Sequence, residues 1–286
     1  MNIQRNPLLF KKVTIIGIGL LGGSIGMAMK KNHLVHEVLG VSRRQATLGY
    51  ALKKKIVDNA TSNIVKSVRG ADLVVLATPV QTILTLLANI GKHLKRGCIV
   101  MDVGSTKTSI VQAAEKSLPS HAFFVGTHPL AGSEKKGVEF SDPDLFNKSF
   151  CIITPTDKTN KQAKEKVEAL WTRMGSFVKN VSPDEHDNIL AFTSHVPHLL
   201  AYAMIDAVPG KYLEYGSTGL KDTTRIAGSS PQLWNDICME NSKNVLPVLD
   251  EVVKILSGYR KAITSKDETV LIEQLKRAKS KRDGIA

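Results

Sequence analysis

The sequence predicts an α/β fold, a doubly wound parallel sheet followed by an all-α C-terminal domain, and three observations carry that reading. Short β-rich runs alternate with helical stretches through the first two-thirds of the chain, the pattern of strand–helix–strand units. The runs Val74-Val75-Leu76 and Cys98-Ile99-Val100-Met101 are continuously apolar, as strands covered by helices on both faces must be. Beyond about Ser182 no strand pattern is left, and the periodicity is helical to the end.

In chain order, strands are expected at residues 12–16, 37–41, 73–77, 98–102, 123–126, 150–154 and 177–181, with helices near 22–31, 44–54, 80–94, 107–118 and 160–174. Ser182-Pro183-Asp184-Glu185 reads as a helix start: a capping serine, a proline in the first turn, and two acids at the positive end of the helix dipole. Helices follow at about 184–207, 220–226, 231–257 and 266–279, broken at Val208-Pro209-Gly210 and Gly228-Ser229-Ser230. The domain boundary is therefore placed between residues 182 and 183, giving a sheet domain over 1–182 and a helical domain over 183–286.

At 286 residues each domain can bury a core, and 42% hydrophobic with 23% charged residues argues against disorder. No apolar run is long enough to span a bilayer, and the first 12 residues lack a secretory signal, so a cytoplasmic location without membrane partners is expected. Cys98, Cys151 and Cys238 are odd in number and widely spaced, which suggests neither a disulfide framework nor a zinc site. The net charge of +13 is scattered over the chain and aromatics are only 5%, whereas a nucleic-acid surface clusters its basic residues with interleaved aromatics. Solvated helix faces, and no nucleic-acid partner, are the expectation; a positive field also suits small polyanions.

The run Val13-Thr14-Ile15-Ile16 leads directly into Gly17-Ile18-Gly19-Leu20-Leu21-Gly22 and a helix, the setting of a Rossmann-type dinucleotide-binding turn. Gly17 permits the tight turn, Gly19 lets backbone approach a pyrophosphate, Gly22 lets helix and strand pack, and the amides from Leu20 onward face the anion. NAD-preferring folds end the second strand with an acid for the ribose; this chain has Ser42-Arg43-Arg44. Guanidinium forks suit a 2′-phosphate, so NADP is expected over NAD, unless Arg43 and Arg44 are solvated residues opening the next helix. Thr78-Pro79 and the segment from Asp102 to Lys107 end two further strands at the same crevice, or are simple strand-to-helix turns.

Five separated segments then carry a resemblance. They are Gly17-x-Gly19-Leu20-x-Gly22-Gly23-Ser24, Asp102-Val103-Gly104-Ser105-x-Lys107, Gly126-Thr127-His128-Pro129-Leu130-Ala131-Gly132-Ser133-Glu134, Ser194-His195-Val196-Pro197-His198 and Lys221-Asp222-Thr223-Thr224-Arg225-Ile226-Ala227. In order and spacing they resemble the prephenate/arogenate dehydrogenase family, over nearly the whole chain from Val13 to Leu249. The resemblance implies an NAD(P)-binding domain, a helical domain that forms a homodimer, and an active site between them. The implied reaction is oxidative decarboxylation of prephenate to 4-hydroxyphenylpyruvate in tyrosine biosynthesis, with arogenate as the alternative substrate.

By matching position, His128 is the implied catalytic histidine, drawing the proton of the ring hydroxyl, with Ser105 orienting the same hydroxyl or, as a second reading, capping a helix. Arg225 is implied to bind a substrate carboxylate. His198 and Ser194, one helical turn apart, are implied to line the substrate pocket. Ser133 and Glu134 match substrate-contact and gating positions, and Asp222 is expected to fix local geometry or orient Arg225. The presence of His198 favours prephenate over arogenate. His195 and His198 have a spacing that could hold a metal, yet no acid or cysteine is arranged beside them and none is expected. No fused chorismate mutase domain before Val13 and no regulatory ACT domain after Lys279 is expected. Rival readings are another dehydrogenase with a helical second domain, of the β-hydroxyacid or pyrroline-carboxylate reductase type, and a non-catalytic NADP-binding sensor.

Overall fold

A computed structural model of the chain describes residues 8–132 and 135–285. The first domain runs β1 (Phe10–Ile16), α1 (Leu20–Lys31), β2 (Val35–Val41), α2 (Gln45–Lys53), β3 (Asn59–Thr61), α3 (Ile64–Val68), β4 (Leu73–Leu76), α4 (Val80–Ile90), β5 (Ile99–Asp102), α5 (Thr108–Ser117) and β6 (Phe123–Val125). The six strands form one parallel sheet in the order β3-β2-β1-β4-β5-β6. Ile16 pairs with Val41 on one side and Leu76 on the other, so the chain reverses its winding direction at β1. Ligands of such sheets bind in the crevice outside the carboxyl ends of the strands at that reversal.

All four residues of β4 are fully buried, because helices cover both faces. Ile25, Met29, Val38 and Leu48 belong to the core of one face, and Ile83, Leu87, Ile90 and Ile110 to that of the other. The short β3 and α3 escape a reading by pattern, since Asn59-Ala60-Thr61 offers no apolar run.

The strands expected at 150–154 and 177–181 do not extend the parallel sheet. β8 (Phe150–Ile153) and β9 (Phe177–Asn180), linked by α6 (Lys161–Arg173), join a short β7 (Thr127–Pro129) in a separate sheet of order β7-β8-β9. β7 pairs antiparallel with β8, placing His128 opposite Ile152. Residues 127–129, expected as an exit loop, are thus a strand. Gly126 permits the change of sheet: a Cβ there would meet Thr154 Oγ1 at 2.5 Å.

The helical part comprises α7 (Pro183–Leu190), a π-helical turn Ala191–His195, α8 (Val196–Asp206), α9 (Thr218–Thr224), α10 (Pro231–Glu240), α11 (Ser242–Thr264) and α12 (Glu268–Asp283). Ser182 caps α7, accepting the Glu185 N–H at 3.2 Å. Two of the expected long helices are broken. The π-helical turn interrupts 184–207, and Asn241, with φ −107° and ψ 22°, separates α10 from α11. Both breaks carry buried polar side chains, His195 and Asn241.

Candidate active site

The glycine turn has the shape that a dinucleotide requires. Gly17 has φ +99°, and a Cβ on it would lie 2.3 Å from the Ala77 carbonyl oxygen and 2.8 Å from Thr78 Cγ2. A Cβ on Gly22 would lie 2.0 Å from the Gly17 carbonyl oxygen, so helix and turn touch backbone to backbone. Gly19 instead faces open space, and a Cβ added there would meet nothing within 4 Å. No side chain caps α1, whose first residue is Leu20. Thr78 Oγ1, beside Gly17 and just before Pro79 at the start of α4, is buried without a hydrogen-bond partner. An open backbone approach, uncapped helix amides and an orphaned hydroxyl fit a bound pyrophosphate. Ser42 Oγ accepts the Arg44 N–H at 3.2 Å, while Arg43 and Arg44 are exposed with no side-chain partner among the described residues.

Two strands along, at the end of β5, Asp102 and Lys107 form an ion pair with neither side chain exposed. Lys107 Nζ also donates to the Thr127 carbonyl at 2.9 Å, and Asp102 accepts the Gly104 N–H at 2.8 Å and the Thr127 N–H at 3.3 Å. These bonds seat β7 against the end of β5 and fix the backbone on which His128 stands. His128 Nδ1 lies 2.8 Å from His186 Nε2, and His186 Nδ1 lies 2.8 Å from Asp187 Oδ1. Asp187 further accepts the backbone N–H groups of Lys107 at 2.7 Å and Thr108 at 2.9 Å. A carboxylate from α7 therefore caps α5. Ser105 does not: Lys107 is the capping position, and Ser105, two residues earlier, is half-buried.

Burial holds the His128 imidazole well below its ordinary pKa, helped by the charges of His186, Lys107 and His195. Burial also lowers His186, although Asp187 opposes the shift. For Asp187 burial acts upward, but hydrogen bonds from His186 and Thr108 outweigh it and leave the carboxyl below its usual value. All three are then in one charge state near neutrality: two neutral imidazoles and a carboxylate.

The helical side supplies a second cluster. His195, fully buried on the π-helical turn, takes a hydrogen bond at Nδ1 from Asn241 Nδ2 at 3.0 Å, and the same amide donates to the Asp187 carbonyl at 2.7 Å. Burial lowers the His195 pKa to about 4, with the Ser105 backbone close enough to oppose the shift. His198 stacks on Trp234 at 3.5 Å between ring centroids, and its Nδ1–H donates to the Ser194 carbonyl at 2.8 Å. Burial lowers the His198 pKa, and the nearby Arg225 guanidinium adds to that effect. The structure thus brings His195 near both His128 and the Ser105 backbone, and gathers His198 with Ser194, Trp234 and Arg225. Asp222 is exposed on α9, and its carboxylate has no ion-pair partner among the described residues. Ser133 and Glu134 lie outside the described residues. Among the described residues no group of three or more His, Cys, Asp or Glu side chains could hold a metal ion, and no helix is long and apolar enough to cross a membrane.

Comparison with known proteins decides the family. The family model described as prephenate dehydrogenase, nucleotide-binding domain, matches residues 25–180, and that described as prephenate dehydrogenase, dimerization domain, matches residues 182–277. The chain belongs to the prephenate dehydrogenase family. A prephenate dehydrogenase of Bacillus subtilis (strain 168) is 34% identical over 96% of this chain and 76% of its own length. A cyclohexadienyl dehydrogenase of Zymomonas mobilis is 35% identical over 96% of this chain and 95% of its own. Among solved structures, the prephenate dehydrogenase of Aquifex aeolicus in complex with hydroxyphenyl propionate and NAD+ superposes with a TM-score of 0.89, at 32% identity, covering 96% of this chain and 98% of that one.

As a member of this family the chain is an NAD(P)-dependent dehydrogenase, and its sheet domain is the nucleotide-binding one. That membership sets aside the rival dehydrogenase types and the non-catalytic sensor. Residues that sequence reasoning passed over are His186, Asp187, Asn241 and Trp234. A faint signal existed for the first two: Pro183-Asp184-Glu185 already supplies the acids of a helix start, so the adjacent His186-Asp187 pair was surplus to it.

Proposed function

We propose that this dehydrogenase oxidatively decarboxylates prephenate to 4-hydroxyphenylpyruvate, working as a homodimer with NADP+ preferred over NAD+. The observation that carries the reading is the held imidazole of His128: neutral, with Nδ1 engaged by His186, it keeps Nε2 for a ligand at the carboxyl end of the sheet. When bound, the nicotinamide accepts the hydride that leaves the hydroxyl-bearing ring carbon. His128 holds the hydroxyl proton at Nε2 while that oxygen gains carbonyl character. The electron pair of the carbon–carboxylate bond refills the ring as carbon dioxide departs, and the proton returns to the phenol oxygen.

Ser105, half-buried beside the same turn, orients the hydroxyl. Arg225, with a planar fork of donors, binds a carboxylate of the substrate, and His198 presents Nε2 as an acceptor beside it because Nδ1 is spent on Ser194. The cap on α7 supports dividing the chain at residues 182 and 183. Exposed Arg43 and Arg44, without a partner among the described residues and standing where an acid would repel a 2′-phosphate, support NADP+. Leu246, Val253, Leu256 and Ile263 form an exposed apolar stripe along α11, between 54% and 63% accessible, which supports pairing of two copies through the helical domain.

Following reduced-cofactor absorbance with NAD+ and NADP+ against prephenate and arogenate tests activity, substrate and cofactor in one design. The expected result is the highest kcat/KM for NADP+ with prephenate. Turnover of arogenate alone would overturn the substrate, a clear NAD+ advantage the cofactor, and no turnover with any pair the reading as a whole.

A further inference from the structure

We propose that His186 and Asp187 complete a proton relay with His128, in which Asp187 sets the tautomers of both imidazoles and His186 stores the proton that His128 takes from the substrate hydroxyl. The relay rests on the catalytic reading of His128 and adds two residues that this reading does not need.

The hydrogen-bond directions follow from one end of the chain. The Asp187 carboxylate accepts the amides of Lys107 and Thr108, so it is anchored as an acceptor. His186 Nδ1, 2.8 Å from Asp187 Oδ1, must then donate. A neutral His186 consequently presents a bare Nε2, and His128 Nδ1 at 2.8 Å must donate to it. That leaves His128 Nε2 as the acceptor, the form a base requires. Had Asp187 been an amide, each direction could have reversed, and His128 would have offered an N–H where the reaction needs a lone pair.

The same chain gives the proton somewhere to go. When His128 Nε2 takes the hydroxyl proton, its Nδ1 proton can pass to His186 Nε2. The imidazolium is then His186, hydrogen-bonded to a carboxylate, and His128 is neutral again with its proton on Nε2. The reverse transfer returns the proton to the phenol oxygen once the ring is aromatic, so protons and electrons balance with no further reactant. The charges that face His128 favour this placement. Lys107 approaches from the entry to α5 and His195 from the π-helical turn, both opposing charge on His128, while Asp102 compensates Lys107 from β5. Of these histidines, His186 is the one with a carboxylate in direct contact among the described residues. His186 is fully buried, so an ordinary solvation role is closed to it.

A merely structural His186 would be replaceable by a residue that accepts the same hydrogen bond. His186→Gln supplies such an acceptor, keeps His128 in place, and cannot carry a proton. The expected result is a loss of roughly 10–10³-fold in kcat, the scale of a positioned acid–base group, with KM values for prephenate and cofactor within about threefold and a displaced acidic limb in the kcat/KM pH profile. Wild-type kcat with an unshifted profile in His186→Gln, beside an inactive His128→Asn, would overturn the relay and leave the function intact. A wild-type enzyme without turnover of either substrate would instead overturn the function. Independently of any variant, 15N-histidine NMR of the wild-type protein at neutral pH should find His128 and His186 protonated at Nδ1; finding the His128 proton at Nε2 would overturn the relay.

Discussion

The ammonium of Lys107 and the carboxylate of Asp102 meet in complete burial under β7, the strand that carries His128. Removing one partner from such a pair strands a charge away from water, which costs about 3–5 kcal/mol, whereas replacing both is often close to neutral. Lys107→Met should therefore lower the free energy of unfolding by about that much, and Asp102→Leu with Lys107→Met should recover part of it. Urea unfolding curves measure both. A Lys107→Met protein as stable as the wild type would mean that the pair does not hold β7 in place.

His128→Asn keeps a polar side chain on β7 but removes the nitrogen proposed to face the ligand. It should reduce kcat by about 10²–10⁴, or roughly 3–5 kcal/mol of barrier. Its cofactor affinity, read by titration, should be unchanged, because the glycine turn lies after β1. Near-normal turnover in this variant would remove His128 from the chemistry.

Two neighbouring glycines should fail in different ways. Gly17→Ala forces a Cβ to within 2.3 Å of backbone oxygen at φ +99°, so the free protein itself should be destabilised. Gly19→Ala meets nothing within 4 Å and has φ −96°, so the thermal transition of the free protein should stay within a few degrees. Its added methyl occupies the space a pyrophosphate needs, and cofactor KM should rise tenfold or more. Unaltered cofactor binding by Gly19→Ala would move the nucleotide site elsewhere.

What was legible in the sequence was whatever has a local signature. β1, the glycine turn and α1 announce themselves because the strand, the three spaced glycines and the helix are contiguous in sequence. The segment around His128 was legible as chemistry but not as structure. Three residues ending in proline do not look like a strand, and their pairing with β8 depends on residues more than twenty positions away. The relay was hidden for the same reason. His186 and Asp187 sit in a helix start whose acids already explain the sequence locally, and only the fold brings them to His128 and to the amides of α5. Asn241 reads as a polar residue within a helix, yet it breaks that helix because its amide serves His195 and Asp187 at once.

Buried neutral histidines also set the response to acid. His195 has its pKa lowered from 6.5 to about 4, and His128 and His186 are lowered as well. A depressed folded-state value means that the unfolded chain binds the proton first. The stabilisation is therefore complete above pH 6.5 and falls as the pH drops through the window down to about 4. His195 alone accounts for a loss on the order of 3 kcal/mol across that window. Urea midpoints at pH 7.5, 6 and 5 should decline steadily, and His195→Gln should flatten the decline. Stability independent of pH over this range would show that these imidazoles are solvated.

Cofactor choice turns on what stands at the end of β2. Ser42 uses its hydroxyl to accept the Arg44 amide, which turns the chain into α2 and leaves both guanidinium groups in solvent with no partner among the described residues. A 2′-phosphate arriving there would meet two cations and no carboxylate. Replacing both arginines by alanine should raise KM for NADP+ at least tenfold, since each charge-assisted pair contributes about 1.5–3 kcal/mol. KM for NAD+ should change little, because a ribose hydroxyl gains nothing from a guanidinium that water does not also supply. Steady-state kinetics of the double variant with both nucleotides makes the comparison within one protein, free of differences in folding. Equal losses for the two nucleotides would assign Arg43 and Arg44 to the start of α2 and not to the phosphate.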